Sequence, residues 1–259
     1  METKFNKPGF IGGGRITRII LQAFANRSVK FDSVLVVEPD LDVLTSLKSD
    51  FEGIISVTPD ELASRSDLIF IAVHPPAVME VVQKISGKTL NSAVIISLAP
   101  KITIEKLSGI LTNNAIARMI PNATSFINEG YNPISFSESV SQELKADLLA
   151  LLGVMGETFI VDESKLEAYA IASAMLPTYF WFQWRKMEEI AVITGFSDKE
   201  AKKLVHTTLE KSLRLYYESA LSAEEVIDLI PVKPIGEHEG EIENILETKL
   251  LSLFNKIKP

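Results

Sequence analysis

Apolar and polar positions along this chain fall into two textures that meet near residue 162. In the first, short and almost continuous apolar runs alternate with segments whose apolar residues recur every three or four positions, the sign of strands alternating with helices. Gly9–Ile11, Ser33–Val37, Ile54–Val57, Leu68–Val73, Ala93–Leu98 and Ala115–Met119 predict strands. Most are apolar throughout, as expected of strands covered on both faces. Helices are predicted from Arg15 to about Asn26, over Leu41–Asp50, and from Thr58 onward. There Thr58-Pro59-Asp60-Glu61 supplies an N-cap, a first-turn proline and a capping-box glutamate. Tyr131–Phe136, a helix opening at Ser139 and Thr158–Val161 complete this half. With right-handed crossovers this is an α/β fold, a doubly wound and mainly parallel sheet of the Rossmann type.

From Asp162 the strand-like runs vanish and helical periods follow one another. Leu166–Met175 and Thr178–Thr194 are separated by Pro177, and Gly195 supplies a C-terminal stop. Ser197-Asp198-Lys199-Glu200 is a capping box opening a helix to about Ala220, and Glu224–Ile230 and Ile242–Lys256 follow. Two domains are expected, a dinucleotide-binding domain over residues 1–161 and an all-helical domain over residues 162–259. The run Tyr179-Phe180-Trp181-Phe182-Gln183-Trp184 is apolar around most of its helix, which predicts burial on all sides in a core or against a partner subunit.

Composition narrows the partners. With 26 basic and 34 acidic residues the net charge is −8, which argues against a broad cationic surface for nucleic acid or anionic lipid. There is no cysteine, so disulfides, thiolate metal sites and cysteine nucleophiles are excluded. No apolar run approaches the ~20 residues that span a bilayer, and METKFNKPGF lacks the apolar core of a signal peptide. The expectation is a cytoplasmic protein with no membrane partner. The three histidines, His74, His206 and His238, lie in different segments without the spacing of paired metal ligands, and no metal site is expected.

The chemistry is carried by Gly9-Phe10-Ile11-Gly12-Gly13-Gly14-Arg15-Ile16-Thr17, which ends a strand and opens a helix. Gly12 permits a tight turn and Gly14 a close backbone approach to a pyrophosphate. The free N–H groups at the helix start favour that anion. Thr17 occupies the third glycine position, so α-helix and sheet are expected to stand slightly further apart. Glu38, at the end of the second strand, is placed to accept hydrogen bonds from adenosine ribose hydroxyls and to repel a 2′-phosphate, which favours NAD over NADP. Arg15 either stacks on adenine or meets a phosphate.

Taken in order, these and later segments resemble the pyrroline-5-carboxylate reductases of proline biosynthesis. GFIGGGRIT is similar to the family's opening glycine motif, and IAVHPPAV to its fourth-strand motif, where a lysine usually stands at the position of His74. VIISLAPKI is similar to the fifth strand and its turn, and ARMIPNATSFINEG to a segment of arginine, then methionine-proline-asparagine, then glutamate-glycine. LEAYAIASAMLPTY lies on the family's Ser-Gly-Ser-Gly-Pro-Ala-Tyr stretch, keeping Ser173, Pro177 and Tyr179. The resemblance implies an N-terminal Rossmann domain and a C-terminal helical dimerisation domain, hence a homodimer or higher homo-oligomer. It implies a cofactor, NAD or NADP, bordered by Gly12, Gly13, Gly14, Arg15, Ile16, Glu38, Ala72, His74 and Pro75, with Asn122 near the nicotinamide and substrate. Ser173, Met175, Tyr179, Glu237 and His238 fall on the substrate pocket.

Two segments depart from the family. Ser173-Ala174-Met175-Leu176 replaces Ser-Gly-Ser-Gly, and Lys233-Pro234-Ile235-Gly236-Glu237-His238 replaces Ser-Pro-Gly-Gly-Thr-Thr, a loop that grips the substrate carboxylate in the family. The leading functional reading is an NAD(P)H-dependent reductase passing hydride to the carbon–nitrogen double bond of a small cyclic imine. Such a reaction asks mainly for positioning, so no catalytic side chain is assigned. A reductase of another small carbonyl or imine substrate is a second reading; Lys165 and Lys186 are available to move a proton, but neither lies in the glycine-rich helix context of the hydroxyacid enzymes. A third is a nucleotide-binding protein that has lost catalysis and serves as a sensor or scaffold.

Overall fold

The computed structural model describes residues 2–259 and divides into two compact units, Met1–Ala174 with Leu253–Pro259, and Met175–Ser252. The first unit holds eight strands: β1 (Pro8–Ile11), β2 (Val34–Val37), β3 (Ile54–Ser56), β4 (Leu68–Ile71), β5 (Val94–Ser97), β6 (Ala115–Met119), β7 (Gly130–Phe136) and β8 (Gly156–Ile160). They form one sheet in the order β3-β2-β1-β4-β5-β6-β7-β8. All neighbours are parallel except β6 and β7, which run antiparallel. The chain reverses its winding between β1 and β4, and an open α/β sheet has its binding crevice outside the carboxyl ends of the strands at such a point.

Six helices cover the sheet: α1 (Arg15–Asn26), α2 (Leu41–Asp50), α3 (Pro59–Arg65), α4 (Pro75–Ile85), α5 (Ile104–Ser108) and α6 (Gln142–Leu152). The alternation within each strand sorts its side chains between two cores. Phe10, Leu68, Phe70 and Ile96 face α1, α2 and α6, where Ile20, Phe24, Leu47 and Leu148 meet them. Ile11, Ile69, Ile71 and Ile95 face α3, α4 and α5, against Leu62, Val78, Val82 and Leu107. Phe10 and Phe70 stack at 4.7 Å between ring centroids. Both faces being covered, the central strands contain almost no polar residue.

Local signals place the helix ends. Thr58 and Glu61 form the expected reciprocal capping box, and the hydrogen bonds from Thr58 hold the Glu61 carboxyl below its ordinary pKa. The helix expected from Ser139 starts later, because Ser141 supplies the cap, accepting from Leu144 N–H. The first unit also extends past the expected boundary at residue 162. Glu163 and Glu167 reach back to Arg118 on β6, and Leu166 and Ala170 pack with Ile120.

The helix expected over Leu166–Met175 is interrupted. Only α7 (Leu166–Tyr169) is α-helical, followed by a wider π turn over Ala170–Ala174 and a 3-10 turn over Leu176–Tyr179. Pro177 has no N–H to offer the carbonyl of Ser173 four residues back, and its ring crowds that turn. The next helix, expected from Thr178, therefore begins at Trp181.

The second unit consists of α8 (Trp181–Ile193), α9 (Asp198–Glu218), α10 (Ala223–Asp228) and most of α11 (Glu239–Ile257). Gly195 ends the turn after α8 with φ +112°, a left-handed conformation suited to glycine. Ser197 and Glu200 form the expected capping box on α9.

The backbones of β7 and β8 approach closely where Gly130 and Gly156 are register partners. A Cβ on Gly156 would lie 2.2 Å from Gly130 N and 2.3 Å from its carbonyl oxygen, at φ +127°. Gly156→Ala is expected to destabilise the fold by about 3 kcal/mol or more, through a clash with backbone and a disfavoured φ. Urea denaturation of wild type and variant would measure it, and a loss under 1 kcal/mol would show that the two strands can part there.

Candidate functional site

Gly12 fixes the geometry of the site. It sits at φ +104° between two strands, its N–H donating to Val37 O at 2.8 Å while Ala72 N–H donates to Ile11 O at 2.9 Å. A Cβ there would lie 2.6 Å from Ala72 O, so only glycine lets the ends of β1, β2 and β4 meet so closely. Gly14 lies at the opposite extreme, with open space where a Cβ would project. Thr17, at the third glycine position, is fully buried, and its hydroxyl donates to Gly12 O at 2.6 Å. The extra bulk is thus used to brace the turn itself.

The helix starts differ in a way that marks the site. Among α1–α6, side chains cap α2, α3, α5 and α6, through Asp40, Thr58, Thr103 and Ser141. Gly14 and His74, the N-caps of α1 and α4, provide no side-chain cap, and neither first turn holds an acid. Both starts border one cleft, but only α1 brings free N–H groups of the kind that suit a phosphate, because α4 opens on Pro75 and Pro76, which have none, and Ala77 N–H is taken by His74 O. The residues present therefore fit a dinucleotide.

The cleft has two lobes at the carboxyl ends of the strands. One, of about 750 Å³, is bordered by Gly13, Gly14, Arg15, Ile16, Ala72, His74 and Pro75. Its far wall is Leu98, Ala99 and Pro100 after β5. The other, of about 690 Å³, takes in Gly12, Glu38, Ala72 and His74, with an apolar wall of Val57, Pro59, Ala77 and Val81. Each volume is that of a small-molecule site. His74 borders both lobes. The two walls were missed from sequence, although each follows or faces the carboxyl end of a parallel strand, which is the signal that could have found them.

Glu38 is held by the backbone around it. Its Oε2 accepts from Gly13 N–H at 2.8 Å and its Oε1 from Asp40 N–H at 2.9 Å, so the carboxylate ties the glycine turn to the start of α2. Each oxygen keeps a lone pair for a hydroxyl donor. Asp40 Oδ1 in turn accepts from Asp42 and Val43 N–H, closing the α2 start to any other anion. Arg18 is engaged with Asp50 and with Ser46 Oγ at 2.9 Å, whereas Arg15 is exposed at the cleft's edge.

Asn122 lines neither lobe. It is buried, its Oδ1 accepting from Thr124 N–H and Oγ–H, while its Nδ2 donates to Ser173 O and Oγ, both at 3.3 Å. The Ser173 carbonyl left without a helical donor by Pro177 is thereby taken up. The structure brings Asn122 and Ser173 together. Met175, Tyr179, Glu237 and His238 belong to the second unit. Burial raises the Tyr179 hydroxyl above its ordinary pKa, and its main-chain oxygen accepts from Gln183 Nε2 at 2.6 Å. Glu237 and His238 lie on an exposed 3-10 turn, Gly236–His238, with Nε2 3.5 Å from Glu237 Oε1 and Nδ1 3.7 Å from Glu241 Oε2. Among the described residues no three His, Asp or Glu side chains cluster to hold a metal, and no helix is long and apolar enough to cross a membrane.

Comparison with known proteins agrees with this geometry. Residues 7–101 match the family described as NADP oxidoreductase coenzyme F420-dependent. The pyrroline-5-carboxylate reductase of Escherichia coli K12 is 24% identical over 242 residues, covering 93% of this chain and 84% of that protein. The pyrroline carboxylate reductase of Plasmodium falciparum, solved with NADP bound, superposes with a TM-score of 0.83 at 21% identity, over 99% of this chain and 98% of that one. That of Streptococcus pyogenes gives 0.77 at 20% identity, over 97% and 96%. The fold, the glycine turn and the order of motifs together make this chain similar to the pyrroline-5-carboxylate reductases over nearly its whole length, with an NAD(P)-dependent oxidoreductase domain matched at residues 7–101.

Proposed function

We propose that this protein is an NAD(P)H-dependent reductase of a small cyclic imine, acting in the cytoplasm on the type of reaction its relatives carry out in proline biosynthesis. The observation that carries the reading is the uncapped start of α1, its first-turn N–H groups facing the cleft behind a left-handed Gly12. Gly13, Gly14, Arg15 and Ile16 would hold the pyrophosphate, Glu38 the adenosine ribose, and Ala72, His74 and Pro75 the central part of the cofactor. The bound nicotinamide supplies hydride to the carbon of a C=N bond. An iminium is already electrophilic, so the protein's task is to orient it and exclude water. Asn122, fixed by Thr124 and Ser173, orients the backbone between the β6 end and the π turn. Oxidation of NADH and NADPH across a panel of cyclic imines and keto acids tests the reading. Nucleotide binding without turnover of any of them would overturn it in favour of a non-catalytic binder.

NADH is expected to bind better than NADPH. A 2′-phosphate at the β2 end would meet Glu38, a pair that ~4 Å apart costs about 1 kcal/mol in water, with Asp40 and Asp42 together adding about 0.4 kcal/mol once screened. The preference should be on the order of tenfold in Kd, narrowing to about twofold in Glu38→Gln. Calorimetry showing NADPH tighter would assign Arg15 to the phosphate instead.

A second expectation concerns the substrate. Glu237 and His238 stand where the family presents threonines to a carboxylate, so an anionic imine should be disfavoured. Both side chains are exposed and face each other, which screens the charge and limits the effect to about 1 kcal/mol, roughly fivefold in kcat/KM. The decarboxylated imine should therefore outrun pyrroline-5-carboxylate, and Glu237→Thr with His238→Thr should reverse the order. Equal turnover of both imines, unaltered by the double substitution, would remove this turn from substrate selection.

The second unit supports assembly as a homodimer or higher homo-oligomer. Among its described residues only Ala191 and Ala201 are buried apolar side chains, while Phe182, Ile193, Tyr217 and Ile230 are 68%, 83%, 76% and 70% exposed. Monomers seldom leave so much apolar surface in water. Light scattering at micromolar concentration should report at least twice the chain mass, and a monomer would refute the assembly.

A further inference from the structure

A buried charge cluster lies behind the wall of the cleft. Arg118 on β6 is fully buried and donates from Nη1 to Glu163 Oε1 at 2.8 Å and from Nη2 to Glu167 Oε1 at 2.5 Å. The same carboxylate oxygens take the backbone of the segment after β5. Glu167 Oε1 accepts from Lys101 N–H at 2.9 Å and Glu163 Oε1 from Ile104 N–H at 2.7 Å, and Arg118 Nη2 reaches Ala99 O at 3.5 Å. The cluster is costly. Arg118 Nε and Glu167 Oε2 are buried without a partner, and a buried ion pair is weak evidence for stability. What it fixes is local: Lys101 is held at φ +75°, a left-handed conformation that a lysine seldom adopts, directly after the wall residues Leu98, Ala99 and Pro100. Strained backbone of this kind persists only where its surroundings over-determine it, and it gathers at functional sites.

We propose that Arg118, Glu163 and Glu167 are positioning residues that hold Lys101 left-handed, and that this conformation sets the Leu98–Pro100 wall against the nicotinamide half of the bound cofactor. The assignment to that half follows from the strand order. Glu38 at β2 takes the adenosine side, the α1 start at β1 takes the pyrophosphate, and β5 lies beyond β4 on the opposite side. The inference rests on the nucleotide-binding reading of the cleft and goes beyond it in naming what shapes the nicotinamide end. It involves the backbone of Lys101, whose side chain is exposed, and asks nothing of the ammonium group.

Two substitutions at one exposed position separate backbone from charge. Lys101→Gly and Lys101→Val both remove the ammonium, but glycine adopts a left-handed φ freely and a β-branched residue resists it. Calorimetric titration with NADH and with ADP-ribose, which lacks the nicotinamide ring, is the readout. The valine variant should bind NADH about tenfold more weakly than the glycine variant, the strain of one left-handed residue expressed as affinity. The two should bind ADP-ribose alike, and the valine variant should melt lower. Glu167→Gln, which weakens the acceptor for Lys101 N–H, should lose NADH affinity without losing ADP-ribose affinity, and adding Lys101→Gly should restore it. Equal NADH affinities of the glycine and valine variants would overturn the inference, as would failure of the rescue. Wild-type protein that binds neither ligand would overturn the nucleotide reading as well, whereas wild type that binds both while the two variants match would overturn this inference alone.

Discussion

The contact on which the rest of the site depends is the close approach of three strand ends around Gly12. Its N–H bonds to β2, the β4 backbone bonds to Ile11 beside it, and Ala72 O occupies the place where any side chain would project. That approach brings Glu38 and His74 to the borders of one crevice and turns the chain into α1 with its first N–H groups unused. Because peptide dipoles and free donors reinforce each other at a helix start, the crevice favours an anion before any side chain is considered. Thr17, whose hydroxyl returns to Gly12 O, adds a brace that a third glycine could not.

Around that anion site the charges are arranged to different ends. At the β2 end carboxylates consume the donors: Glu38 those of Gly13 and Asp40, Asp40 those of the α2 start. Such a surface suits a group that brings hydroxyl donors of its own. At the β5 end the carboxylates of Glu163 and Glu167 are turned inward onto Arg118 and onto main-chain N–H groups, so they shape backbone and leave the cleft wall apolar. The same residue type thus faces the cleft on one side of the sheet and is turned inward on the other, the difference being set by burial and by which donors lie in reach.

The second unit follows another economy. Its helices are well capped, with boxes at Ser197–Glu200 and Ser222–Glu225, yet they bury almost none of their apolar side chains among themselves. Capping and period make a helix locally sound; they do not supply a core. A unit of this kind leaves most of its apolar side chains without a core of its own.

Much of this was legible in the sequence, for physical reasons that are local. A strand buried on both faces must be almost wholly apolar, so Leu68–Ile71 and Val94–Ser97 identify themselves, and Thr58 or Ser197 with a glutamate three residues on announces a helix start. A glycine that must turn left-handed between a strand and a helix is visible as Gly12-Gly13-Gly14, and the acid after β2 by its distance from it. What only the tertiary structure decided concerns residues whose partners are remote in the chain. Glu163 and Glu167 read as polar positions of a helical segment, but Arg118 lies 45 and 49 residues away, and their meeting moves the unit boundary and bends Lys101. Asn122 reads as a turn residue until Pro177 frees the carbonyl of Ser173 for it. Periodicity and capping depend on neighbours within one or two turns, whereas the pairing of buried polar groups depends on where the folded chain brings a donor to an acceptor, and no local pattern encodes that distance.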